Sequence, residues 1–281
     1  MKLTKNIPIF VSSACILWLS NIAFVNAQEP AHALTIHTEH FPPYNYARQE
    51  NITGINVEIV KALCEHAGVD CNFALFPWNR AMRMTKNTAS TGLVSTARKE
   101  EREDEFLWVG PLVSGINCVY KLTSRDDISI NTNTDLSNYI LGTSSDASYI
   151  DLLSQLGFDE NKNLILYRGK YGALKPFVVG RIDLIIGSAT SIASQLEHVD
   201  LSVGFVQPVA RISSENLSGN YLALNKTTPS AVVDKLKAAY VYLNESGSID
   251  KIRDSFKKDS DLTRPTSVDQ ELWNICMSEY E

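Results

Sequence analysis

STARKEEREDEFLWVGP, residues 95–111, is the stretch of this sequence that decides the fold. The apolar pair Leu93 and Val94 precedes it and predicts the end of a buried strand. Hydroxyl and charged residues follow, and an apolar run resumes at Phe106. Because open α/β sheets bind ligands beyond the carboxyl ends of their strands, residues 95–111 predict one wall of a ligand site.

Two arginines in this stretch are the first candidates for binding a ligand. Arg98 and Arg102 follow the hydroxyl side chains of Ser95 and Thr96. A guanidinium group at a strand end can bind a carboxylate through two parallel hydrogen bonds, which the single ammonium group of a lysine cannot match. The residue types therefore favour a site for an anionic ligand.

A second interpretation of the two arginines needs no ligand. Runs of charged residues are usually solvated, and acidic residues follow Arg98 closely. In that case Arg98 and Arg102 would only form surface ion pairs with Glu101, Asp104 or Glu105. The residues of the loop leave both interpretations open.

The order of strand, Ser-Thr, arginine, Glu-Arg, aromatic residue and Gly-Pro resembles the signature of type II periplasmic solute-binding proteins. The resemblance is to family 3, the polar amino acid-binding components of ABC transporters, and extends from Leu34 to about Phe256. It implies an α/β fold of two lobes, with a ligand cleft between them and a double crossover as hinge. Counted back from residues 108–111, Arg102 falls at the family's carboxylate-binding arginine, and Arg98 is kept as a second anchor.

The first 27 residues have the pattern of a secretory signal peptide. Lys2 and Lys5 precede an apolar run, and Val25-Asn26-Ala27 is a small-residue cleavage site. Serines interrupt the apolar run, so a membrane-spanning helix is not expected. We therefore expect an exported, periplasmic protein.

Charge and cysteine content exclude several classes of function. Removal of residues 1–27, which hold two lysines and no acid, changes the net charge from −6 to −8, so a nucleic-acid partner is not expected. Four cysteines remain, without paired metal-ligand spacing, which favours disulfides over zinc, and no cofactor is expected. Cys64 ends a predicted helix and Cys71 begins the next strand, which predicts a disulfide between them and leaves Cys118 and Cys276 as a second, weaker pair.

Two aromatic segments extend the predicted site. The irregular loop after a first strand contains Glu39, Phe41 and Tyr44, which the resemblance places along the cleft, with the acid facing the ligand. The PWNRAM string, which is common in one branch of the family, places Trp78 and Arg80 at a helix N-terminus that faces the cleft. The alternatives are that Tyr44 and Trp78 are core residues and that Arg80 forms a surface salt bridge.

The second lobe is predicted to supply the opposite side of the site. Asp146 is a good N-cap for a helix through residues 152–156. The resemblance places Ala147 and Ser148 at this helix start, where relatives bind the ligand carboxylate. It also places Ser188 where amino acid-specific relatives carry an aspartate for the ligand's ammonium.

The lobes are predicted to be discontinuous in sequence. Lobe one comprises residues 34–115 and 213–281, and lobe two comprises residues 116–212. The crossover segments, near residues 112–118 and 207–219, are the expected hinges. The tail with Trp273 and Cys276 is expected to dock as a helix.

Binding of a small carboxylate-bearing solute is therefore the predicted function. The partner would be a membrane ABC permease or a sensor, and the protein is expected to be a monomer and not an enzyme. One alternative is an exported dehydratase on the same fold, acting on a prephenate-like acid with Glu39, His37 or His40 as its acid or base. A sensor region of a larger receptor is disfavoured because nothing C-terminal predicts a membrane span.

Ser188 leaves two hypotheses about the ligand. A buried ammonium group needs a charged or strongly polar partner, and a serine hydroxyl carries no charge. Either the ligand lacks an α-amine, or another acid replaces the aspartate. Glu39 and Asp146 are the nearest acids in the predicted site.

Overall fold

Two five-stranded sheets form the framework of the protein in the computed structural model. The structure describes Met1 and residues 33–113, 116–212, 219–256 and 269–277. The predicted signal peptide, residues 1–27, lies outside the described residues except for Met1. Within the described ranges the strands are β1 Ala33–Thr38, β2 Tyr46–Arg48, β3 Asn51–Thr53, β4 Asp70–Leu75, β5 Thr91–Ala97, β6 Phe106–Val113, β7 Asn117–Leu122, β8 Leu141–Ser144, β9 Leu164–Tyr167, β10 Leu184–Ser188, β11 Val206–Ile212 and β12 Asn220–Asn225.

The α-helices cover these sheets. They are α1 Ile55–Ala67, α2 Trp78–Asn87, α3 Glu100–Glu103, α4 Ile150–Gln155, α5 Leu174–Val178, α6 Ile192–Leu196, α7 Ser230–Glu245, α8 Ser248–Asp254 and α9 Gln270–Met277. Short 3-10 helices span Asn133–Asn138, Glu197–Val199 and Val203–Phe205. No helix in the described ranges is both long and apolar enough to cross a membrane.

The first sheet has the strand order β4-β1-β5-β12-β6. β1 runs parallel to β4 and β5, whereas β12 is antiparallel to both β5 and β6. Both faces of β5 are covered: Val94 belongs to the apolar cluster with α1 and α7, and Leu93 belongs to the cluster with α2. A central strand buried on both faces has the continuous apolar pattern that the sequence shows at this point.

The second sheet has the strand order β11-β7-β10-β8-β9. β8 runs parallel to β9 and β10, and β7 is antiparallel to β10 and β11. Its apolar clusters contain residues such as Leu141, Leu184 and Phe177. The chain therefore builds two α/β lobes, as the sequence predicted.

The chain passes between the sheets along two neighbouring paths. Val113 at the end of β6 pairs with Asn220 at the start of β12, and Asn117 at the start of β7 pairs with Ile212 at the end of β11. The connecting residues 114–115 and 213–218 lie outside the described ranges. A hinge role for these crossovers stays a prediction.

The predicted position of the C-terminal tail is wrong. We expected residues 213–281 to belong to lobe one, but α9 packs against β11 of the second sheet. Trp273, Cys276 and Met277 are buried in the same apolar cluster as Cys118 and Tyr120. Burial of one apolar helix face and the disulfide at Cys276 both hold the helix on lobe two.

Both predicted disulfides are present. Cys64 at the end of α1 is bonded to Cys71 in β4, and Cys118 in β7 is bonded to Cys276 in α9. Gly68 ends α1 in a left-handed conformation with φ of 65°, which lets the chain turn back between the first pair. The second disulfide joins elements 158 residues apart in sequence.

Asp146 is not a helix N-cap, contrary to the prediction. α4 begins at Ile150, with Tyr149 as the residue that precedes it, and residues 145–149 form a turn. The Tyr149 hydroxyl lies 3.0 Å from Thr143 Oγ1, so the chain stays close to the end of β8 before the helix begins. The helix therefore begins at Ile150 and not directly after Asp146.

The two disulfides should differ in their contribution to stability. The chain-entropy estimate gives about 5 kcal/mol for the long loop closed by Cys118–Cys276 and about 2.5 kcal/mol for the short loop closed by Cys64–Cys71. We expect the Cys118→Ala/Cys276→Ala variant to lose about twice the free energy of unfolding that Cys64→Ala/Cys71→Ala loses, measured by urea denaturation. Equal losses would show that loop length does not govern these bonds.

Candidate functional site

A cavity of about 540 Å³ lies where the strand ends of the two sheets meet. Every parallel strand of both sheets contributes residues at or just beyond its carboxyl end. From the first sheet these are Glu39 after β1, Trp78 after β4 and Ser95 in β5, and from the second sheet Ser148 after β8, Lys170 after β9 and Ser188 in β10. This is the place where open α/β sheets bind ligands.

Arg102 supplies a positive charge to the cavity. It lies in α3, its Nη1 donates to the Ala97 carbonyl at 3.2 Å, and its Cζ lies 6.0 Å from the centre of the Trp78 ring. Burial lowers the pKa of Arg102, although Glu105 and Glu101 oppose this shift. Among the residues that the structure describes, no carboxylate forms a salt bridge with Arg102. The guanidinium is therefore a partly desolvated cation that faces the cavity without a counter-ion from the described chain.

Arg98 does not line the cavity. Its Nε donates to Glu103 Oε2 at 2.8 Å, its Nη2 donates to the other oxygen of the same carboxylate, and its guanidinium lies over the rings of Trp108 and Tyr221. Only three residues separate Arg98 from Arg102, yet the end of β5 and the short α3 direct the two side chains to different surroundings. The structure therefore places only one of the two predicted arginines in the cavity.

Two other predicted residues also lie outside the cavity lining. Arg80 is exposed, and its guanidinium lies 4.7 Å from the centre of the Phe76 ring. Thr96 is fully buried, and its hydroxyl donates to the Leu93 carbonyl at 3.1 Å. In α2, Trp78 and Asn79 line the cavity, whereas Arg80 does not.

Ser95 lines the cavity, but its hydroxyl already has two partners. It donates to Asn45 Oδ1 and accepts from Asn56 Nδ2 at 2.8 Å. Both asparagines are buried. This network fixes the loop after β1 to the end of β5 and so positions Phe41 and Tyr44.

An ion pair connects the two sides of the cavity. Lys170 Nζ lies 3.0 Å from Glu39 Oε1, 4.0 Å from the centre of the Phe41 ring and 5.9 Å from the centre of the Trp78 ring. Burial raises the pKa of Glu39, the Lys170 ammonium opposes that rise, and Asp146 adds to it. A cation over an aromatic ring contributes roughly 0.5 to 2 kcal/mol, so the rings help to hold Lys170 beside Glu39.

A hydrogen-bonded chain of hydroxyl groups forms a second connection. The Tyr44 hydroxyl donates to Ser188 Oγ at 2.9 Å, Ser188 Oγ lies 2.6 Å from Ser191 Oγ, and Gln195 Nε2 donates to Ser191 Oγ at 2.7 Å. Tyr44 is buried, and Tyr44, Ser188 and Gln195 all line the cavity. The Ser188 hydroxyl is therefore committed to partners within the chain.

The turn after β8 lines the opposite side. Asp146, Ala147 and Ser148 belong to the lining, and Tyr149 is held there by its bond to Thr143. Among the candidate acid–base residues, His40 lines the cavity, whereas His37 is buried and bonded to Thr85 at 2.9 Å.

Sequence reasoning missed several cavity residues, of which Lys170 and Tyr171 are the most informative. Both follow the end of β9, so the strand-end rule that identified Ser95 could have found them. The Tyr171 hydroxyl is buried without a hydrogen-bond partner in the described chain, and burial with Glu39 nearby raises its pKa to about 12. Asn117, Gln195 and Asn220 also line the cavity.

No group of three or more metal-ligating side chains occurs among the described residues. The polar atoms of the cavity are guanidinium, ammonium, hydroxyl, amide and isolated carboxylate groups. They suit hydrogen bonding to an organic solute.

Comparison with protein families gives a match to the model described as bacterial extracellular solute-binding proteins, family 3, over residues 34–259. The arginine-binding periplasmic protein of Mannheimia haemolytica is 23% identical over 221 residues, which are 77% of this chain and 87% of that protein. The probable amino-acid-binding protein YxeM of Bacillus subtilis (strain 168) is 22% identical over 165 residues. That match covers 57% of this chain and only 60% of YxeM.

Solved structures show the same fold. An ancestral arginine-binding protein bound to arginine superposes with a TM-score of 0.67 at 17% identity, over 80% of this chain and 98% of that one. At this level of identity the similarity establishes the two-lobed fold alone.

The Glu39 carboxyl should make stability depend on pH in a specific direction. Because its pKa is raised from 4.5 by burial, the folded protein binds more protons at Glu39 than the unfolded chain does. The free energy of unfolding of the wild type minus that of Glu39→Gln should therefore decrease as pH rises above about 4.5, measured by urea unfolding at several pH values.

Glu103→Gln is the matched control. The Arg98 guanidinium holds the pKa of Glu103 below 4.5, so the corresponding difference should increase as pH rises from the acid range. A difference for Glu39→Gln that increases with pH would mean that the attraction of Lys170 outweighs burial.

Proposed function

Because this chain belongs to the bacterial extracellular solute-binding proteins, family 3, we propose that it binds a small carboxylate-bearing solute in the cleft without changing it chemically. The solute is then presented to a membrane ABC permease or to a sensor. Nothing in the matched family or in the named relatives favours the alternative of an exported dehydratase.

The single observation that carries the proposal is the Arg102 guanidinium. It is partly buried, it lines the cavity, and no described carboxylate forms a salt bridge with it, although Glu105 and Glu101 lie near enough to attract it. A desolvated cation is costly without a partner, so an anion entering the cavity gains both the charge interaction and two parallel hydrogen bonds. A carboxylate matches this geometry.

The turn after β8 supports the same assignment from the other lobe. Ser148 and the backbone at Ala147 line the cavity opposite the first lobe. A carboxylate held by Arg102 could accept further hydrogen bonds from these groups when the lobes enclose it. Closure by motion at the two crossovers would bring both sets of donors onto one ligand.

The cavity offers little to an α-ammonium group. Ser188 carries no charge, and its hydroxyl is engaged by Tyr44 and Ser191. Glu39, one of the two acids that could substitute, is engaged by Lys170. We therefore favour a solute without an α-amine, such as an organic acid or a modified amino acid.

Substitution of Arg102 tests the anion site. A screen of mono- and dicarboxylates by thermal shift identifies a ligand, which at 100 times its Kd adds about 2.7 kcal/mol of apparent stability. Arg102→Ala should weaken binding about 100-fold, since loss of charged hydrogen bonds in a buried site costs about 3 kcal/mol. Calorimetry measures the change in Kd.

Arg98→Ala is the matched control for that experiment. It removes an arginine four residues away that is paired with Glu103 outside the cavity, so ligand affinity should change by less than about threefold, as expected for a surface ion pair. An unchanged affinity in Arg102→Ala, or a large loss in Arg98→Ala, would contradict the assignment.

The absence of an α-ammonium site has its own test. Calorimetry with the twenty standard amino acids should give weak binding or none, because Glu39 is engaged by Lys170 and the other acid of the lining, Asp146, is exposed to solvent. Tight binding of one amino acid, lost in Glu39→Gln or Asp146→Asn, would overturn this preference and identify the acid that replaces the aspartate.

A further inference from the structure

Three side chains of the first lobe surround the Lys170 ammonium, and we call them the cation cage: Glu39, Phe41 and Trp78. The carboxylate of Glu39 lies 3.0 Å from Lys170 Nζ, and the Phe41 and Trp78 ring centres lie at 4.0 Å and 5.9 Å. All four side chains line the cavity. A carboxylate combined with aromatic faces is an environment that binds organic cations.

We propose that Lys170 occupies, as part of the chain, the place where a ligand's ammonium or guanidinium group would otherwise bind. Lys170 thereby restricts the cavity to anionic solutes that carry no cationic group. It is a specificity-determining residue that no comparison assigns. This inference rests on the proposed function, because it takes Arg102 as the carboxylate anchor of the same cavity.

The chain delivers Lys170 to the cage from the opposite lobe. The cage residues follow β1 and β4 of the first sheet, whereas Lys170 follows β9 of the second sheet. Gly169, directly before it, has a φ of 74°, a conformation that favours glycine and turns the chain at this point. The Lys170 ammonium therefore reaches the cage from the opposite lobe, on the other side of the cavity in which a ligand would lie.

A ligand cation would have to displace Lys170 from the cage. The buried Glu39 carboxylate has one cationic partner within 4 Å among the described residues, and that partner is Lys170. If the ligand took over Glu39, Lys170 would lose its described salt-bridge partner, and Arg102, Lys170 and the ligand cation would share a lining whose carboxylates are Glu39 and the exposed Asp146. Like charges in a partly desolvated site repel strongly, so cationic ligands are disfavoured in the wild type.

The cage is close enough to Arg102 for one small molecule to reach both. Arg102 Cζ lies 6.0 Å and Lys170 Nζ 5.9 Å from the centre of the same Trp78 ring, so the two groups are no more than about 12 Å apart. An ω-amino acid of four to six carbons carries a carboxylate at one end and an ammonium at the other. Such molecules are suitable probes of a cage from which Lys170 has been removed.

The experiment removes the Lys170 charge and measures which probes bind. Lys170→Met keeps an apolar stem beside Phe41 and has no ammonium. Calorimetry compares 4-aminobutanoate, 5-aminopentanoate and 6-aminohexanoate with butanoate, pentanoate and hexanoate. In the wild type each ω-amino acid should bind more weakly than its matched acid. In Lys170→Met at least one ω-amino acid should bind at least tenfold more tightly than to the wild type.

Two further variants make the result specific to the cage. Glu39→Gln/Lys170→Met removes both charges and should lose the gain in ω-amino acid affinity. Lys170→Gln has an amide that can donate a hydrogen bond to Glu39, and it should show the same gain as Lys170→Met. If the unpaired Glu39 of Lys170→Met prevents folding, Lys170→Gln takes the place of that variant in the experiment.

The outcomes separate this inference from the proposed function. If the matched acids bind but neither Lys170 variant gains affinity for an ω-amino acid, the inference is overturned and carboxylate binding stands. A third outcome is that no acid binds the wild type, that Lys170→Met binds an ω-amino acid, and that the double variant Glu39→Gln/Lys170→Met does not. That outcome supports the cation cage and overturns the anionic-solute function. If nothing binds any variant, both are overturned.

Discussion

The two connections between the sheets begin and end at paired strand ends, and this connectivity constrains the rest of the molecule. Val113 pairs with Asn220, and Asn117 pairs with Ile212, so both paths leave one lobe and enter the other at the same edge. The carboxyl ends of the parallel strands of both sheets consequently line one cavity. Each lobe alone would present only half of the polar groups, so the ligand site depends on the crossovers.

The two cations of the cavity differ because only one of them has a carboxylate partner in the described chain. Arg102 is partly buried without such a partner, whereas Lys170 is paired with the buried Glu39. A partly buried cation without a salt-bridge partner favours the binding of an anion. A cation that is already paired with a carboxylate occupies that carboxylate and disfavours the binding of a second cation there. In the proposed function, this difference makes Arg102 the anchor for an anion and Lys170 the residue that excludes a second cation.

Sequence reasoning recovered the fold because apolar runs and turn residues act locally, and it recovered part of the cavity. Apolar runs predicted the strands and the strand-end rule identified Ser95, whereas Glu39, Trp78 and Ser188 came from the resemblance to the family. It failed where local chemistry allowed more than one outcome. Asp146 has good capping chemistry, yet α4 begins at Ile150, after a turn in which the Tyr149 hydroxyl lies 3.0 Å from Thr143 Oγ1.

Short-range patterns in the sequence were enough to predict two α/β lobes, the Cys64–Cys71 pair and several segments of the cavity, because apolar periodicity, cysteine spacing and turn residues act over short distances. Three features became visible only in the folded chain: the pairing of Arg98 with Glu103 outside the cavity, the docking of α9 on the second sheet, and the contact of Lys170 with Glu39. Arg98 and Glu103 are close in sequence, and the directions of their side chains depend on how the end of β5 and α3 are packed. The other two contacts join residues far apart in sequence, so they are fixed only when the whole chain has packed.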